Sequence, residues 1–485
     1  MSRGLLAQYN LPPVPVPDSF FAPDSPAARP PSDAPPPEPL HLWAARMSAR
    51  DDDWPDLRAR RQLVAALAEA VVETREALSR AVCAGLPIAP EEFVLVELSP
   101  LARSLREATG SPRGSLDGAG FEVSQATSTL AVALSPAMGW GAAVAVAAQA
   151  FLEGAATAWL CPAETHRGLD AVTALARTVG LPPGCWVRHE ASLDADLALT
   201  LREAGIGRAV WMAEARESRA FRAEALADGL ATRVHDVGSA VAVVLRDADL
   251  PAAAEAIVGA RLRLGCTRFD GPQRVLVDDS VHDALGAHLT AALARAARDP
   301  FVRHSLRALP RGAREALHAR LHDAFGHGAS LLSGSVPTAD GPVSPCLLVG
   351  CADYPRAVAP WVAAPLLALV PFAQDDDALG LARTAPLGAV AAVFGADEDR
   401  AVTLAAGLDV DVVHLNDIPD GGLELLGARC SEGFASRTLR VLPGRGRGPG
   451  RRGPPYHPLW VRTTGLRMVL TEGRHGLRGR LGELW

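Results

Sequence analysis

The sequence predicts an α/β fold built from two doubly wound parallel-sheet regions, on three observations. First, β-type runs exchange with helical stretches from AATAWLC through DAVTALARTV, CWVRHE, LDADLALTLREAG, RAVWMAEA and AFRAEALADGL. Second, a similar exchange begins at RVLVDD and continues through CLLVG, PLLALVPF, DDDALGLA, VAAVFG and DVVHLN. Third, 485 residues, 48% of them hydrophobic and 21% charged, suffice for two or three packed domains with large cores.

In chain order, residues 1–40 hold PPVPVPDS and ARPPSDAPPPEPL, too rich in proline for an apolar core and expected to be extended or disordered. Folding is expected to start near Leu42. Between Asp56 and Ala84, Leu63, Leu67, Val71 and Leu78 recur at helical spacing with charges between them, which predicts an amphipathic helix or helix pair. A shorter helix is expected over 91–108. FEVSQATSTLAVAL, 121–134, alternates like strands, and VAVVLRD reads as a buried strand before the periodic helix LPAAAEAIVGARLRLG. The tail carries GRGRGPGRRGPP at 444–455, an arginine-rich linker, and then the candidate strand pair WVRTTGLRMVLTE.

A formal charge of −7 gives no nucleic-acid footprint, and no specific nucleic acid is expected as a partner. All 48 Lys+Arg positions are arginine, so the phosphate-loop lysine, the pyridoxal Schiff base and the kinase lysine are excluded. Asn10 and Asn416 are the only asparagines. Seven scattered cysteines without a C-x-x-C pair fit a reducing cytosol, and the N-terminus shows no leader pattern; a cytoplasmic protein with no membrane span is expected. His318 and His322, four apart on a candidate helix, fit one helix face for a metal, but spacing alone assigns none and no metal site is expected. No H-E-x-x-H, Walker or G-x-S-x-G motif is present.

The run VHDVGSAVAVVLRDADLPAAAEAIVGARLRLGCTRFDGPQRVLVDDSVHDAL, 234–285, resembles the stretch of the aldehyde dehydrogenase superfamily that leads from its glutamate-leucine-glycine-glycine motif through an Asp-Ala-Asp-Leu turn, here 247–250, to its nucleophile loop. LCPAETH, GPVSPCLLVG, PFAQDDDALGLARTAPLGAVAAVFGAD and VVHLN extend the resemblance from about Leu42 to Cys430. It implies a Rossmann-like cofactor-type domain over 41–238, with an oligomerisation ribbon near 109–127, a catalytic-type domain over 239–430, and a linker and oligomerisation tail over 431–485. It also implies a cysteine thiolate attacking an aldehyde, an amide-lined oxyanion hole, hydride transfer to a nicotinamide and a carboxylate that activates water.

Carried over residue by residue, the general base falls on Asp236 and a ribose-binding carboxylate on Glu164. The nucleophile position counts to Arg268 or Phe269, and the nearest cysteine is Cys266. Met138 stands at the oxyanion asparagine, Cys161 at the ribose lysine, Glu214 and Ala215 at a Gly-Ser pair, and Trp361, Ala363 and Ala364 in a motif of which Pro365 survives. Three readings follow. One is a catalytically degenerate scaffold with no cofactor, acting as a homo-oligomer or as the subunit of a partner protein. Another is a divergent NAD(P)-dependent aldehyde dehydrogenase or acyl reductase using Cys266 and Asp236 on a small aldehyde or acyl ligand. The last is an enzyme that reuses the cleft without nicotinamide.

Overall fold

The computed structural model describes residues 38–49, 54–84, 86–109, 129–134, 140–162, 167–194, 196–213, 215–235, 239–268, 270–338, 341, 343–351, 361–384, 387–410, 412–418 and 440–443. The first sheet comprises β1 (Thr129–Leu134), β2 (Ala156–Cys161), β3 (Trp186–Glu190), β4 (Arg208–Met212) and β5 (Ala231–Val234), in the order β3-β2-β1-β4-β5 and all parallel. The chain thus winds outward to β3 and returns past β1 to β4, which places a topological switch between β1 and β4. TLAVAL and ATAWLC are buried at every position, as parallel strands covered on both faces must be. Their side chains divide with period two. Leu130, Val132 and Leu134 join the core under helices Leu57–Glu73 and Trp140–Leu152, whereas Ala131 and Ala133 join Trp43, Trp211 and Phe221 on the other face.

The second sheet holds β6 (Ser239–Val244), β7 (Arg274–Asp278), β8 (Ser330–Ser333), β9 (Cys346–Val349), β10 (Leu366–Phe372), β11 (Leu387–Phe394), β12 (Val412–Leu415) and β13 (Arg440–Pro443). Its order is β13-β12-β11-β6-β7-β10-β9-β8, and only the β8–β9 pairing is antiparallel. The sheet runs one strand past the boundary expected at 430, because Arg440–Pro443 lies in register beside Val412–Leu415. The expected ribbon over 109–127 and the tail beyond 443 lie outside the described residues apart from Thr109, which ends a helix.

Local chemistry sets the helix limits. The candidate helix pair divides at Thr74, whose hydroxyl donates to Ala70 O at 2.7 Å. Asp56 and Asp249 cap their helices by accepting from Ala59 N at 2.7 Å and Ala252 N at 3.1 Å. The helix expected over 91–108 instead runs as an α-turn Pro90–Phe93, a π-turn Val94–Leu98 and an α-helix Ser99–Thr109. Pro100 brings no N–H to this helix, and Ser99 donates both its N–H and, at 2.8 Å, its hydroxyl to Val94 O, five residues back.

Among the described residues no helix is long and apolar enough to cross a membrane. The six described cysteines are buried, and no disulfide joins any two of them.

Candidate active site

Helix Leu250–Leu262 ends in a turn, Arg263–Cys266, in which Leu264, Gly265 and Cys266 have φ of 50°, 64° and 65°. Three successive left-handed residues are costly for any side chain but glycine, so the turn must be held from outside. Leu264 N donates to Glu92 Oε1 at 3.0 Å, and Thr267 Oγ1 donates to Leu264 O at 2.6 Å. A side chain at Gly265 would meet Pro87 O at 2.9 Å. The turn places Cys266 in the core beneath the second sheet, 1% exposed. Burial pushes its thiol up to about 12; Arg261 opposes this and Glu92 adds to it. At neutral pH this resting group is a thiol.

Arg261 is fully buried and holds a neighbouring segment. Its Nε donates to Leu366 O at 3.0 Å, and its Nη2 donates to Val362 O at 2.5 Å, Ala364 O at 2.6 Å and Gln273 Oε1 at 3.3 Å. Gln273 Oε1 also accepts from Val362 N at 2.9 Å. Desolvation lowers the Arg261 guanidinium to about 10, and Cys266 is the group that offsets it. One buried cation therefore ties the cysteine turn to PWVAAP, the segment that the resemblance equates with a ribose-binding motif.

A second charged group lies on the other side of the cysteine. Arg268 donates from Nε to Asp270 Oδ1 at 2.8 Å and from Nη2 to Asp270 Oδ2 at 2.6 Å, with side chains 3% and 2% exposed. Glu97 and His414 are both within the field of this pair. Glu97 Oε2 accepts from Gly141 N at 2.7 Å, at the start of helix Trp140–Leu152. Burial nevertheless raises its carboxyl to about 7, because desolvation outweighs that hydrogen bond and Arg268. Burial lowers the His414 imidazole to about 4.

The two shifts have opposite signs in stability. The raised Glu97 contributes fully below its unfolded value near 4.5, and the contribution is lost as pH rises through about 7. The depressed His414 contributes above 6.5, and the contribution is lost as pH falls towards about 4. Relative to Glu97→Gln, the wild-type protein is expected to lose of order 3 kcal/mol between pH 4.5 and about 7.5. Urea unfolding of both proteins across that range checks this; a constant difference would show that Glu97 keeps its ordinary ionisation.

Of the residues singled out in the sequence, Asp236, Glu164, Met138, Glu214 and Phe269 lie outside the described residues. Cys161 ends β2, fully buried, and the Arg188 guanidinium lies beside it, paired through Nη2 with Asp170 Oδ2 at 2.9 Å. The position that the resemblance equates with a lysine thus has a cation on the adjacent strand. His235 is 3% exposed and its N–H donates to Trp211 O at 2.7 Å. The His318 and His322 rings stand 4.4 Å apart on an exposed helix face, and among the described residues no three ligating groups meet. Sequence reasoning missed Glu92, Glu97, the Arg268–Asp270 pair and His414. Two glutamates five apart in the apolar run PEEFVLVEL, followed by Pro100, were the available signal.

Two wound sheets, with a thiol-bearing turn between a helix and β7, define a two-sheet α/β protein. The model of the aldehyde dehydrogenase family matches residues 221–431. Succinate-semialdehyde dehydrogenase [NADP(+)] of Deinococcus radiodurans is 29% identical over 203 residues, 39% of this chain and 42% of that protein. Succinate-semialdehyde dehydrogenase of Paenarthrobacter nicotinovorans is 26% identical over 217 residues, 41% and 48% respectively. The match therefore spans less than half the length of either relative. The crystal structure of NAD-dependent aldehyde dehydrogenase from Sinorhizobium meliloti superposes with a TM-score of 0.68 at 18% identity over 79% of each chain. Residues 221–431 thus match the aldehyde dehydrogenase family model, and the chain has the fold of solved aldehyde dehydrogenases. The expectation that no cofactor is bound finds no support, since two of these relatives carry a nicotinamide cofactor in their names.

Proposed function

We propose that the chain is an NAD(P)-dependent oxidoreductase of aldehyde or acyl groups that works through a thioester on Cys266. The observation that carries this reading is the cysteine turn: a thiol with a buried guanidinium, Arg261, in its field, on the loop that the family resemblance assigns to the nucleophile. The family-model match over residues 221–431 and the names of the relatives favour it over the inactive scaffold.

The winding of the first sheet fits a dinucleotide, whose place in such sheets is the crevice outside the carboxyl ends of the strands at the switch point, here between β1 and β4. Glu164 and Arg188 are the residues that would hold its ribose and neighbouring phosphate. Bound there, NAD(P) supplies a two-electron hydride acceptor or donor. Cys266 Sγ, once deprotonated, attacks the carbonyl carbon, and Arg261 stabilises the charge that the sulfur carries before attack. Asp236 orients the water that cleaves the thioester, one methylene shorter than a glutamate and so through a longer hydrogen-bonded path. Cytoplasmic location and assembly as a homo-oligomer belong to the same proposal.

Titration calorimetry with NAD+ and NADP+ tests it. Micromolar binding is expected, and absence of binding to either would overturn the reading in favour of the second one. That second reading, a noncatalytic oligomer or partner subunit, is favoured by a single observation, the burial of Cys266 with its thiol at about 12.

A further inference from the structure

The segment Pro90–Thr109 has two buried glutamates that no assigned role uses. Glu92 is 1% exposed and Glu97 is 5% exposed. In an unbroken α-helix, residues five apart lie about 140° around the axis. A turn closed by bonds to the fifth residue narrows that angle, and such a turn, Val94–Leu98, begins two residues after Glu92 and contains Glu97. Leu95, within this turn, is 57% exposed. The consequence is that two carboxyls from one helix serve two distant loops. Glu92 accepts from Leu264 N in the cysteine turn, 172 residues away, and Glu97 accepts from Gly141 N, 44 residues away, at the helix following β1. Glu92 Oε2 is buried and has no hydrogen-bond partner among the described residues.

We propose that the π-turn is a built part of the site and makes Glu92 and Glu97 its positioning residues, Glu92 setting the cysteine turn and Glu97 setting the start of helix 140–152 against that turn. The proposal deepens the oxidoreductase reading and rests on it for its purpose. Glu97 faces Arg268 and Asp270 of the cysteine loop, and both glutamates face Cys83 of helix 75–83. Glu92 further faces Arg263, Arg268 and Asp299. Loss of the Glu97 proton beside Asp270 adds like charge at the seam between the two loops, so the setting of the cysteine turn changes with pH near neutrality.

The test uses the full chain and reads alkylation of Cys266 by iodoacetamide, peptide by peptide in a mass spectrometer, from about pH 6 to about pH 9, alongside the NAD(P)-dependent rate. Beyond the tenfold rise per pH unit of a thiol far below its pKa, the wild-type profile is expected to show an extra step near pH 7; Glu97→Gln is expected to remove it and Glu97→Asp to restore it, displaced. Deletion of Leu95, which returns the helix to α-geometry, is expected to change the alkylation rate about tenfold in a protein with native circular dichroism. Identical profiles for wild type and Glu97→Gln would overturn the proposal, as would an unchanged rate in the folded deletion variant. If the deletion variant does not fold, the Glu97 profiles decide alone. If wild type binds no NAD(P), the oxidoreductase reading fails while the alkylation profiles still decide this one.

Discussion

Arg268→Met is expected to cost about 3–5 kcal/mol of folding stability, whereas Arg268→Met with Asp270→Leu is expected to cost far less or to stabilise. The asymmetry follows from burial. With side chains 3% and 2% exposed, each partner has paid the desolvation of a full charge, and their doubly hydrogen-bonded pairing offsets it. Removing the guanidinium leaves the Asp270 carboxylate in a dry place shared with Glu97 and His414, neither of which is a ready cation at neutral pH. Removing both charges leaves apolar side chains of similar volume. Urea unfolding of the two singles and the double gives the coupling directly. Equal losses in the single and double variants would mean that the pair is solvated in solution.

Arg261→Met is expected to be comparably severe, about 3–5 kcal/mol, because four buried acceptors, Val362 O, Ala364 O, Leu366 O and Gln273 Oε1, lose a charged donor together. Gln273→Leu, which removes one acceptor and the bond to Val362 N, is expected to cost about 1–2 kcal/mol. The Arg261 variant has a second signature, slower alkylation of Cys266 at a given pH, because the cation that favours the thiolate is gone. A stable Arg261→Met protein with unchanged thiol reactivity would remove both the tether and the electrostatic role.

Most of the architecture was legible in the sequence because burial writes itself as pattern. The apolar runs at Ala156–Cys161 and Leu366–Phe372 and the helix Leu250–Leu262 appear where composition and periodicity place them. Asp249, in the Asp-Ala-Asp-Leu turn, also caps the helix that follows, a role the sequence reading did not assign. The site was less legible. Glu92 and Glu97 look like ordinary charges on an amphipathic helix, yet both are buried in a segment that contains a π-turn. Arg261 sits in a helix whose one other charge, Glu255, is exposed, and nothing local reveals that its partners include carbonyls about a hundred residues onward. Long-range polar contacts of this kind carry no periodic signal.

The hydrophobic interior around the first sheet includes Leu264 from the cysteine turn and Val390 and Val412 from the second sheet. The oily region is therefore continuous across the two halves, which couples their unfolding. Heating is expected to give one cooperative endotherm for both sheets, so damage to either half is felt by the other.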